Sequence, residues 1–192
     1  LAEAIQVGHG ILKRGGSSQE AVEKTINIME DSPLFNAGKG AVLNSNASIE
    51  LDASFMEGKS LGAGAISGVR TVKNPISAAI KVMEASPHVM LSGSGADAFS
   101  NEQGLEIVSP EYFLTERRIN ALKEVQKASS MSKTNHKYQS NDFINQQRYG
   151  TVGCVALDIF GNLAAGTSTG GMTNKKWNRI GDAPIIGAGT YA

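Results

Sequence analysis

Apolar positions recur along the chain with two different periods, and these periods predict where helices and strands lie. A repeat of about three to four residues indicates amphipathic helices, and Val22, Ile26 and Met29 form one such apolar stripe. The stripe follows Ser17-Ser18-Gln19-Glu20, which is typical of a capping box at the start of a helix. Five helices are predicted in this way: Leu1–Arg14, Ser17–Glu30, one from Pro75, and two around Ala96–Glu102 and Thr115–Lys127.

The other apolar segments either alternate with polar residues or consist of small residues, as strands do. Alternation from Ile49 to Phe55 predicts a half-buried strand, with Glu50, Asp52 and Ser54 on its polar side. A turn at Phe160-Gly161-Asn162 predicts that the last two strands form a hairpin. Five strands are predicted: Ile49–Phe55, Gly62–Val69, His88–Leu91, Thr151–Asp158 and Leu163–Thr169. Together these elements predict an α+β fold in which helices cover sheets.

A polar tract from about residue 128 to residue 149 interrupts this pattern. It is rich in Ser, Lys, Asn and Gln and contains few apolar residues, so it predicts a linker or a surface excursion. The tract ends where a strand of small residues begins at Thr151. We therefore expect a boundary that divides residues 1–150 from residues 151–192 within one domain.

The composition is that of a globular protein and argues against several classes of function. The chain has 192 residues, 41% of them hydrophobic, and its 18 basic residues balance 18 acidic ones. No attraction to nucleic acid or to an anionic membrane is therefore expected, and no apolar segment approaches the length of a membrane span. The three histidines lack metal-ligand spacing. The single cysteine excludes an internal disulfide and does not distinguish cytoplasm from periplasm.

The Gly150–Thr151 bond is where the residues themselves suggest chemistry. Cleavage of this bond would make Thr151 N-terminal, and its α-amino group, with a reference pKa of about 8, could act as general base for its own hydroxyl. The β-branch of Thr151 holds that hydroxyl in few orientations. Gly150 has no side chain, so its own carbonyl group is unshielded. From these residues alone, a turn glycine followed by a strand threonine is the simpler interpretation.

Motifs on both sides of the polar tract favour the chemical interpretation. The junction Gly150-Thr151-Val152-Gly153-Cys154-Val155-Ala156-Leu157-Asp158 resembles that of the plant-type asparaginase/isoaspartyl peptidase family of N-terminal-nucleophile hydrolases. Other segments are similar to the family in the same order: Pro33-Leu34-Phe35-Asn36-Ala37-Gly38-Lys39-Gly40, Glu50-Leu51-Asp52-Ala53-Ser54, Val72-Lys73-Asn74-Pro75-Ile76-Ser77, Ser86-Pro87-His88-Val89-Met90, Ala165-Gly166-Thr167-Ser168-Thr169-Gly170-Gly171-Met172-Thr173-Asn174-Lys175, Arg179-Ile180-Gly181-Asp182 and Gly187-Ala188-Gly189-Thr190-Tyr191-Ala192. This combination is highly specific.

The resemblance implies an αββα sandwich made as a precursor, which cleaves itself between Gly150 and Thr151 into α and β chains that stay together. It implies that Thr151 is the nucleophile and that Thr169 is a second threonine hydrogen-bonded near it. The implied enzyme is an amidohydrolase of L-asparagine and β-aspartyl dipeptides, acting through a β-aspartyl ester on Thr151 that water resolves.

The resemblance also implies how the substrate is bound. Arg179 would bind the α-carboxylate and Asp182 the α-ammonium, a chemistry that suits a guanidinium fork and a carboxylate. A spacing of three residues lets both side chains face one pocket, whereas without the family context the two would be interpreted as a surface ion pair. Asn36, in the loop near the cleavage site, is given a supporting role.

Cofactors and partners follow from the same resemblance. No organic cofactor is implied, but bacterial relatives suggest a structural sodium ion held by backbone carbonyl oxygens. The six candidate residues are Met29, Glu30, Ser32, Phe35, Ala37 and Lys39. Expected partners are a small-molecule or dipeptide substrate and a second αβ unit, which would give a dimer.

The sequence departs from the family in three respects, and two alternatives stay open. A His-Gly-Gly loop is absent, since His9-Gly10 lies inside a predicted helix, and the third threonine of the oxyanion hole would lie beyond Ala192. We therefore expect a chain cut at both ends. Asn178 stands where relatives usually carry glycine. One alternative is glycosylasparaginase, which usually has Asp where this chain has Gly150; the other is an inactive, uncleaved relative.

Overall fold

The computed structural model of the chain describes residues 1–132 and 150–192. Within these ranges the helices are α1 (Ala2–Lys13), α2 (Ser18–Glu30), α3 (Pro75–Ala85), α4 (Gly93–Glu102) and α5 (Glu116–Ser132). The strands are β1 (Leu51–Glu57), β2 (Ala63–Val69), β3 (Met90–Ser92), β4 (Val152–Leu157) and β5 (Leu163–Thr169). Each helix and strand predicted from the hydrophobic pattern is therefore confirmed, with ends shifted by a few residues.

Helix α5 is longer than predicted and includes the start of the polar tract. It continues to Ser132, and the Ser129 hydroxyl donates to the Val125 carbonyl oxygen one turn earlier at 2.8 Å. The short polar side chain thus bonds back to a carbonyl group of its own helix instead of forming a turn. The first residues of the predicted linker or surface excursion, 128–132, are therefore helical. The remainder of that prediction, residues 133–149, lies outside the described residues.

One five-stranded sheet in the order β3-β2-β1-β5-β4 combines strands from both sides of the Gly150–Thr151 bond. β1 pairs antiparallel with β2 and with β5, while β2 and β3 pair in parallel. The predicted hairpin of β4 and β5 is confirmed, with Val152 opposite Ser168. Because this register joins the start of β4 to the end of β5, it brings the Thr151 region close to Thr169.

Helices α2 and α3 pack against one face of the sheet and form the core with it. Val22 and Ile26 of α2 and Ile76 of α3 are fully buried there. Helix α2 begins with the predicted cap, because the Ser17 hydroxyl accepts the Glu20 backbone N–H at 3.1 Å. α1 packs on α2. This helix layer supports β1 and β5, the two strands on which the polar residues of the site lie.

The opposite face of β1 is polar but buried, so the prediction of a half-buried strand is wrong. Asp52 and Ser54 are only 1% and 0% exposed. The Ser54 hydroxyl lies 2.6 Å from the Ala183 carbonyl oxygen and 2.7 Å from the Thr190 hydroxyl. The loop that contains Ala183 and Thr190 therefore covers the polar side of this strand.

The α+β class predicted from the pattern is confirmed. In the described ranges, α2 and α3 cover one face of a five-stranded sheet, which gives one helix layer and one sheet layer of the expected αββα sandwich. On the other face, Val155 and Leu157 of the edge strand β4 are exposed. Among the helices of residues 1–132 and 150–192, none is both long enough and apolar enough to cross a membrane.

Candidate active site

The two threonines singled out by the sequence lie within hydrogen-bonding distance. Thr151 directly precedes β4 and Thr169 ends β5, and the Thr151 hydroxyl donates to the Thr169 hydroxyl oxygen at 3.1 Å. Thr169 is buried and also accepts the Gly171 backbone N–H at 3.0 Å. With two donors on its oxygen, the Thr169 side chain is held in one orientation and directs the hydroxyl of Thr151.

The carbonyl group that would be attacked in self-cleavage has a hydrogen-bond donor of its own. The backbone N–H of Asn36 donates to the Gly150 carbonyl oxygen at 3.1 Å. A Cβ atom added at Gly150 would lie 2.5 Å from the Asn36 Cβ, a distance that forces one of the two to move. Because Gly150 has no side chain, the backbone at the Gly150–Thr151 bond can lie in close contact with Asn36.

Asn36 also contacts the turn that follows Thr169. Its side-chain Nδ2 donates to the Gly171 carbonyl oxygen at 2.8 Å, and its backbone carbonyl accepts the Gly170 N–H at 3.0 Å. Its Oδ1 accepts the Val42 N–H at 2.9 Å. Asn36 is therefore one buried residue that joins the Gly150 carbonyl to the turn after Thr169. This arrangement suits the supporting role predicted for it.

Arg179 and Asp182 are both exposed. Arg179 lines a cavity of about 430 Å³, and Asp182 lies outside its lining. The charged residues of that lining are three carboxylates and three cations: Glu50, Asp52, Asp97, Arg70, Lys175 and Arg179. The Arg179 guanidinium lies over Gly181, with Nη1 3.0 Å from the position of an added Cβ. It is therefore beside the backbone that leads to Asp182.

Asp52 is a buried residue of this cavity that the sequence analysis did not single out. Its Oδ1 accepts the Ser67 hydroxyl at 2.7 Å and the Gly68 N–H at 2.9 Å, while its Oδ2 has no hydrogen-bond partner among the described residues. It lies directly opposite Thr169 in the pairing of β1 with β5. The polar positions of β1 were the signal that could have identified it.

Lys175 is a second residue that sequence reasoning missed. Its side chain is 1% exposed, and its ammonium donates to the Glu50 carbonyl oxygen at 3.0 Å and lies 3.6 Å from the Glu50 carboxylate. Glu50 also accepts Arg70 at 2.9 Å and Asn44 at 2.8 Å. This buried network holds the segment between Thr169 and Arg179 against the start of β1.

Glu30 is a fully buried acid beside the strand that carries Thr169. Its Oε1 accepts the Ser168 hydroxyl at 2.6 Å and the Ile76 backbone N–H at 2.9 Å. Burial raises the pKa of its carboxyl from an ordinary value of 4.5 to about 8, although these hydrogen bonds act in the opposite direction. Glu30 therefore joins the end of α2 to the start of α3 and to the residue before Thr169.

The six candidate sodium ligands lie in the loop that starts at the end of α2. The Met29 and Ala37 carbonyl oxygens accept the N–H groups of Ser32 at 3.3 Å and Gly40 at 3.2 Å. An added Cβ at Gly38 would collide with the Glu30 carbonyl, and one at Gly40 would collide with the Phe35 carbonyl. In the described residues, side chains of His, Cys, Asp and Glu form no cluster of three that could hold a metal.

The departure at Asn178 has a structural explanation. Asn178 has a φ of 53°, in the left-handed region that glycine adopts freely and that asparagine tolerates better than most residues. The preceding Trp177 has a φ of 55°. The turn before Arg179 therefore has the conformation that a glycine at position 178 would favour.

Known proteins resemble the entire chain. The family described as Asparaginase matches residues 1–192. The isoaspartyl peptidase of Escherichia coli (strain K12) is 46% identical, and the isoaspartyl peptidase/L-asparaginases of Mus musculus and Homo sapiens are 47% and 45% identical, each over 192 residues. The alignments cover 100% of this chain but 59%, 56% and 59% of these relatives, so the chain spans less than two thirds of their length. The match over all 192 residues shows that the chain belongs to the asparaginase family.

Proposed function

We propose that the protein hydrolyses the side-chain amide of L-asparagine and the isopeptide bond of β-aspartyl dipeptides, after cleaving its own Gly150–Thr151 bond. The observation that carries the proposal is the 3.1 Å hydrogen bond from the Thr151 hydroxyl to Thr169. The names of the similar proteins, isoaspartyl peptidase and isoaspartyl peptidase/L-asparaginase, support the substrate class.

Self-cleavage begins when the Thr151 oxygen attacks the Gly150 carbonyl carbon. The Asn36 N–H, 3.1 Å from the carbonyl oxygen, stabilises the negative charge that develops there. A C–O bond forms while the C–N bond breaks, and the hydroxyl proton passes to the departing α-nitrogen. Water then hydrolyses the resulting ester, which leaves a carboxylate on Gly150 and a free amine and hydroxyl on Thr151.

The freed α-amino group activates the same hydroxyl for an external substrate. With a reference pKa of about 8, this amine is partly neutral near pH 7 and can take the hydroxyl proton. The Thr151 oxygen attacks the side-chain carbonyl carbon of the substrate, and the nitrogen leaves with the proton as ammonia or an amine. Water cleaves the β-aspartyl ester and releases aspartate, while Thr169 orients the hydroxyl in both steps.

Substrate binding is assigned to Arg179 and Asp182. A guanidinium binds a carboxylate in a bidentate manner, so Arg179 suits the α-carboxylate, and Asp182 suits the α-ammonium. The cavity of about 430 Å³ beside Arg179 does not include Thr151, Thr169 or Asp182 in its lining, so the assignment rests on the family resemblance and on the chemistry of the two side chains.

The decisive experiment follows both cleavage and turnover in the full-length protein. Mass spectrometry should find a chain that starts at Thr151, and the purified protein should release aspartate from L-asparagine and from β-aspartyl dipeptides. Thr151→Ala should abolish the cleavage and the turnover together, whereas Thr115→Ala, at the start of α5, should abolish neither. Hydrolysis by the Thr151→Ala protein would refute the mechanism, and a chain that stays intact after long incubation would support the uncleaved alternative.

The geometry of the junction argues against the glycosylasparaginase alternative. That enzyme usually carries Asp before its nucleophile, whereas a side chain at position 150 would meet Asn36 at 2.5 Å. Turnover of a glycosylated asparagine compared with a β-aspartyl dipeptide tests this choice. Faster turnover of the glycosylated substrate would favour the alternative.

A sodium ion in the loop after α2 is a further part of the proposal. This assignment rests on the family resemblance, and backbone carbonyl oxygens are ligands that suit a hard cation. When bound, the ion would stabilise the loop that carries Asn36. A melting temperature that is equal in sodium chloride and in choline chloride of the same ionic strength would contradict this assignment.

The protein is also proposed to assemble as a dimer of αβ units. This assignment rests on the family resemblance. Light scattering coupled to size-exclusion chromatography of the full-length protein tests this assignment. A dimer has twice the mass of one α chain plus one β chain, and a mass equal to a single αβ unit would contradict it.

A further inference from the structure

The Asp52 carboxylate is buried with one of its two oxygens unpaired. In residues 1–132 and 150–192, its Oδ2 is the one buried side-chain nitrogen or oxygen that has no hydrogen-bond partner. The other oxygen, Oδ1, accepts the Ser67 hydroxyl at 2.7 Å and the Gly68 backbone N–H at 2.9 Å. Nearly all buried polar atoms of folded proteins are hydrogen-bonded, so this exception needs an explanation.

Asp52 lies in a row of polar side chains that crosses neighbouring strands and ends at Thr151. Asp52 is directly opposite Thr169, and residues that are opposite each other in an antiparallel pair have side chains on the same face. The next pair on that face, Ser54 and Thr167, shows how close such side chains lie, because their hydroxyl oxygens are 3.1 Å apart. Thr169 in turn accepts the Thr151 hydroxyl at 3.1 Å. The carboxylate is therefore one strand away from Thr169 and two strands away from Thr151.

Asp52 differs from the other charged side chains on this side of the sheet, which are Glu50, Lys175, Arg179 and Asp182. Glu50 and Lys175 form a buried ion pair at 3.6 Å, so their charges largely cancel. Arg179 and Asp182 are assigned to the substrate in the proposed function. Asp52 has no cationic partner in the described part of the chain, since its Oδ1 is bound by two neutral donors and its Oδ2 by none. Its negative charge is therefore free to act on a positive charge that appears in the site.

Other titratable groups near Thr151 lie on elements that have partners of their own. The buried Glu30 carboxyl accepts the Ser168 hydroxyl at 2.6 Å on the side of the sheet covered by helices. The half-buried Cys154 packs against the hydrophobic core. The Lys39 ammonium, on the loop that carries Asn36, lies 5.1 Å from the centre of the Tyr112 ring. All three groups stay unchanged in the variants described below and contribute equally to each pH profile.

We propose that Asp52 is a positioning residue that acts through the Thr151 α-amino group and keeps this amine basic enough to take the proton of the Thr151 hydroxyl. The inference rests on the proposed function, because the amine exists only after the Gly150–Thr151 bond is cleaved. When the amine accepts the hydroxyl proton it becomes an ammonium, and the Asp52 carboxylate stabilises that positive charge. The same proton then leaves with the departing nitrogen of the substrate, which returns the amine to its neutral form.

The spacing of the strands sets the size of the effect. Two strand spacings of about 4.8 Å put the Asp52 carboxylate about 10 Å from the Thr151 nitrogen. At this separation, and with an effective dielectric constant of about 20, one negative charge raises the pKa of an amine by about one unit. Removal of the charge should therefore lower the pKa of the Thr151 amine. The acid limb of the pH profile of kcat/KM reports this base and should move to lower pH.

The test changes the charge of Asp52 and keeps its shape. Asp52→Asn keeps an oxygen that can accept from Ser67 and Gly68, and kcat/KM for L-asparagine is measured from pH 5 to pH 9 on the cleaved full-length protein. The midpoint of the acid limb should fall by about half a unit to one unit, and Asp52→Glu should keep the midpoint of the unmodified protein. Because every variant is measured on one substrate, titration of the substrate itself cancels in the comparison.

A second buried aspartate provides the matched control. Asp158 is 6% exposed and accepts the backbone N–H groups of Phe160 and Asn162, at the end of β4 opposite to Thr151. Asp158→Asn therefore also removes a buried carboxylate, but one that is the length of a strand away from the amine. We expect it to keep the midpoint of the acid limb.

The outcomes separate this inference from the function on which it rests. A cleaved Asp52→Asn protein that hydrolyses asparagine with an unchanged midpoint would refute the inference and leave the hydrolase intact. Asp52→Ser takes its place if Asp52→Asn is not cleaved. Failure of both variants to fold or to cleave would show that Asp52 acts on the fold or on self-cleavage, which also refutes the inference. If the unmodified protein is cleaved but turns over no substrate, the proposed function itself is wrong.

Discussion

The side-chain amide of Asn36 donates a hydrogen bond of 2.8 Å to the carbonyl oxygen of Gly171, 135 residues later in the chain. The backbone N–H of Asn36 donates to the carbonyl oxygen of Gly150, the residue that directly precedes the proposed nucleophile Thr151. Asn36 thus fixes the attacked carbonyl relative to the turn that orients Thr169. This relationship makes the loop after α2 part of the site.

Replacement of Asn36 by alanine should slow self-cleavage about tenfold or more. The backbone N–H to Gly150 remains, but the partly buried Gly171 carbonyl and the buried Val42 N–H lose their side-chain partners, and the loss at Val42 alone costs about 1–3 kcal/mol. The time course of precursor loss on denaturing gels measures the effect. Asn101→Ala, on the exposed face of α4, is the control; equal rates for the two variants would show that the Asn36 side chain has no such role.

Gly150→Ala should reduce self-cleavage by at least about tenfold, because the new Cβ would lie 2.5 Å from the Asn36 Cβ and must displace the attacked carbonyl. Gly153→Ala is a matched control two residues into β4, where the nearest atom to an added Cβ is 3.6 Å away. Precursor half-lives of both variants check this prediction. A Gly150→Ala precursor that matures as fast as Gly153→Ala would contradict it.

Thr167→Val should weaken substrate binding more than it slows the chemical step. The Thr167 hydroxyl lies 2.6 Å from the Ala183 carbonyl oxygen and 2.8 Å from the Thr190 hydroxyl, so it holds the loop that begins at Asp182. Valine keeps the shape and removes these bonds. We expect KM for L-asparagine to rise about three- to tenfold with a smaller change in kcat. A fall in kcat alone would indicate that Thr167 acts on Thr169 instead.

Lys175→Met should lower the free energy of unfolding by about 3 kcal/mol, because it leaves the buried Glu50 carboxylate without its nearest buried cation. Arg70 and Asn44 still donate to Glu50, which keeps the loss toward the lower end for a broken buried pair. Lys81→Met is the control: its ion pair with Glu84 is exposed and should contribute at most about 1 kcal/mol. Urea titrations of both variants compare the losses, and equal losses would contradict the prediction.

Elements that depend on local pattern were predictable from the sequence. The Ser17 cap of α2 and the hairpin of β4 and β5 need only neighbouring residues, and both are present. The burial of Asp52 was not predictable, because it depends on contacts with Ser67 and Gly68 on the next strand. Alternation along a strand separates its two faces but does not reveal what covers each of them.

The candidate site shows the same limit. The proximity of Thr151 and Thr169 follows from strand pairing, which the hairpin prediction contained. The expectation that Arg179 and Asp182 face one pocket stays a prediction, because both residues lie in a loop, where a spacing of three does not by itself set a common face. The burial of Lys175 depends on Glu50, 125 residues earlier in the chain.

The stability of the protein should depend on the protonation of Glu30. Its pKa is raised from 4.5 to about 8 by burial, so between these pH values the folded state keeps a proton that the unfolded chain releases. This group therefore stabilises the fold fully below pH 4.5, and that contribution, up to several kcal/mol in order of magnitude, is lost as the pH rises through about 8. Glu30→Gln mimics the protonated acid, and glutamine can still accept from Ser168 and Ile76 through one oxygen. Its unfolding free energy should fall less than that of the unmodified protein between pH 5 and pH 8, which urea titrations at several pH values measure. Parallel pH profiles for the two proteins would mean that Glu30 is already ionised in the fold, with its three hydrogen-bond donors outweighing the cost of burial.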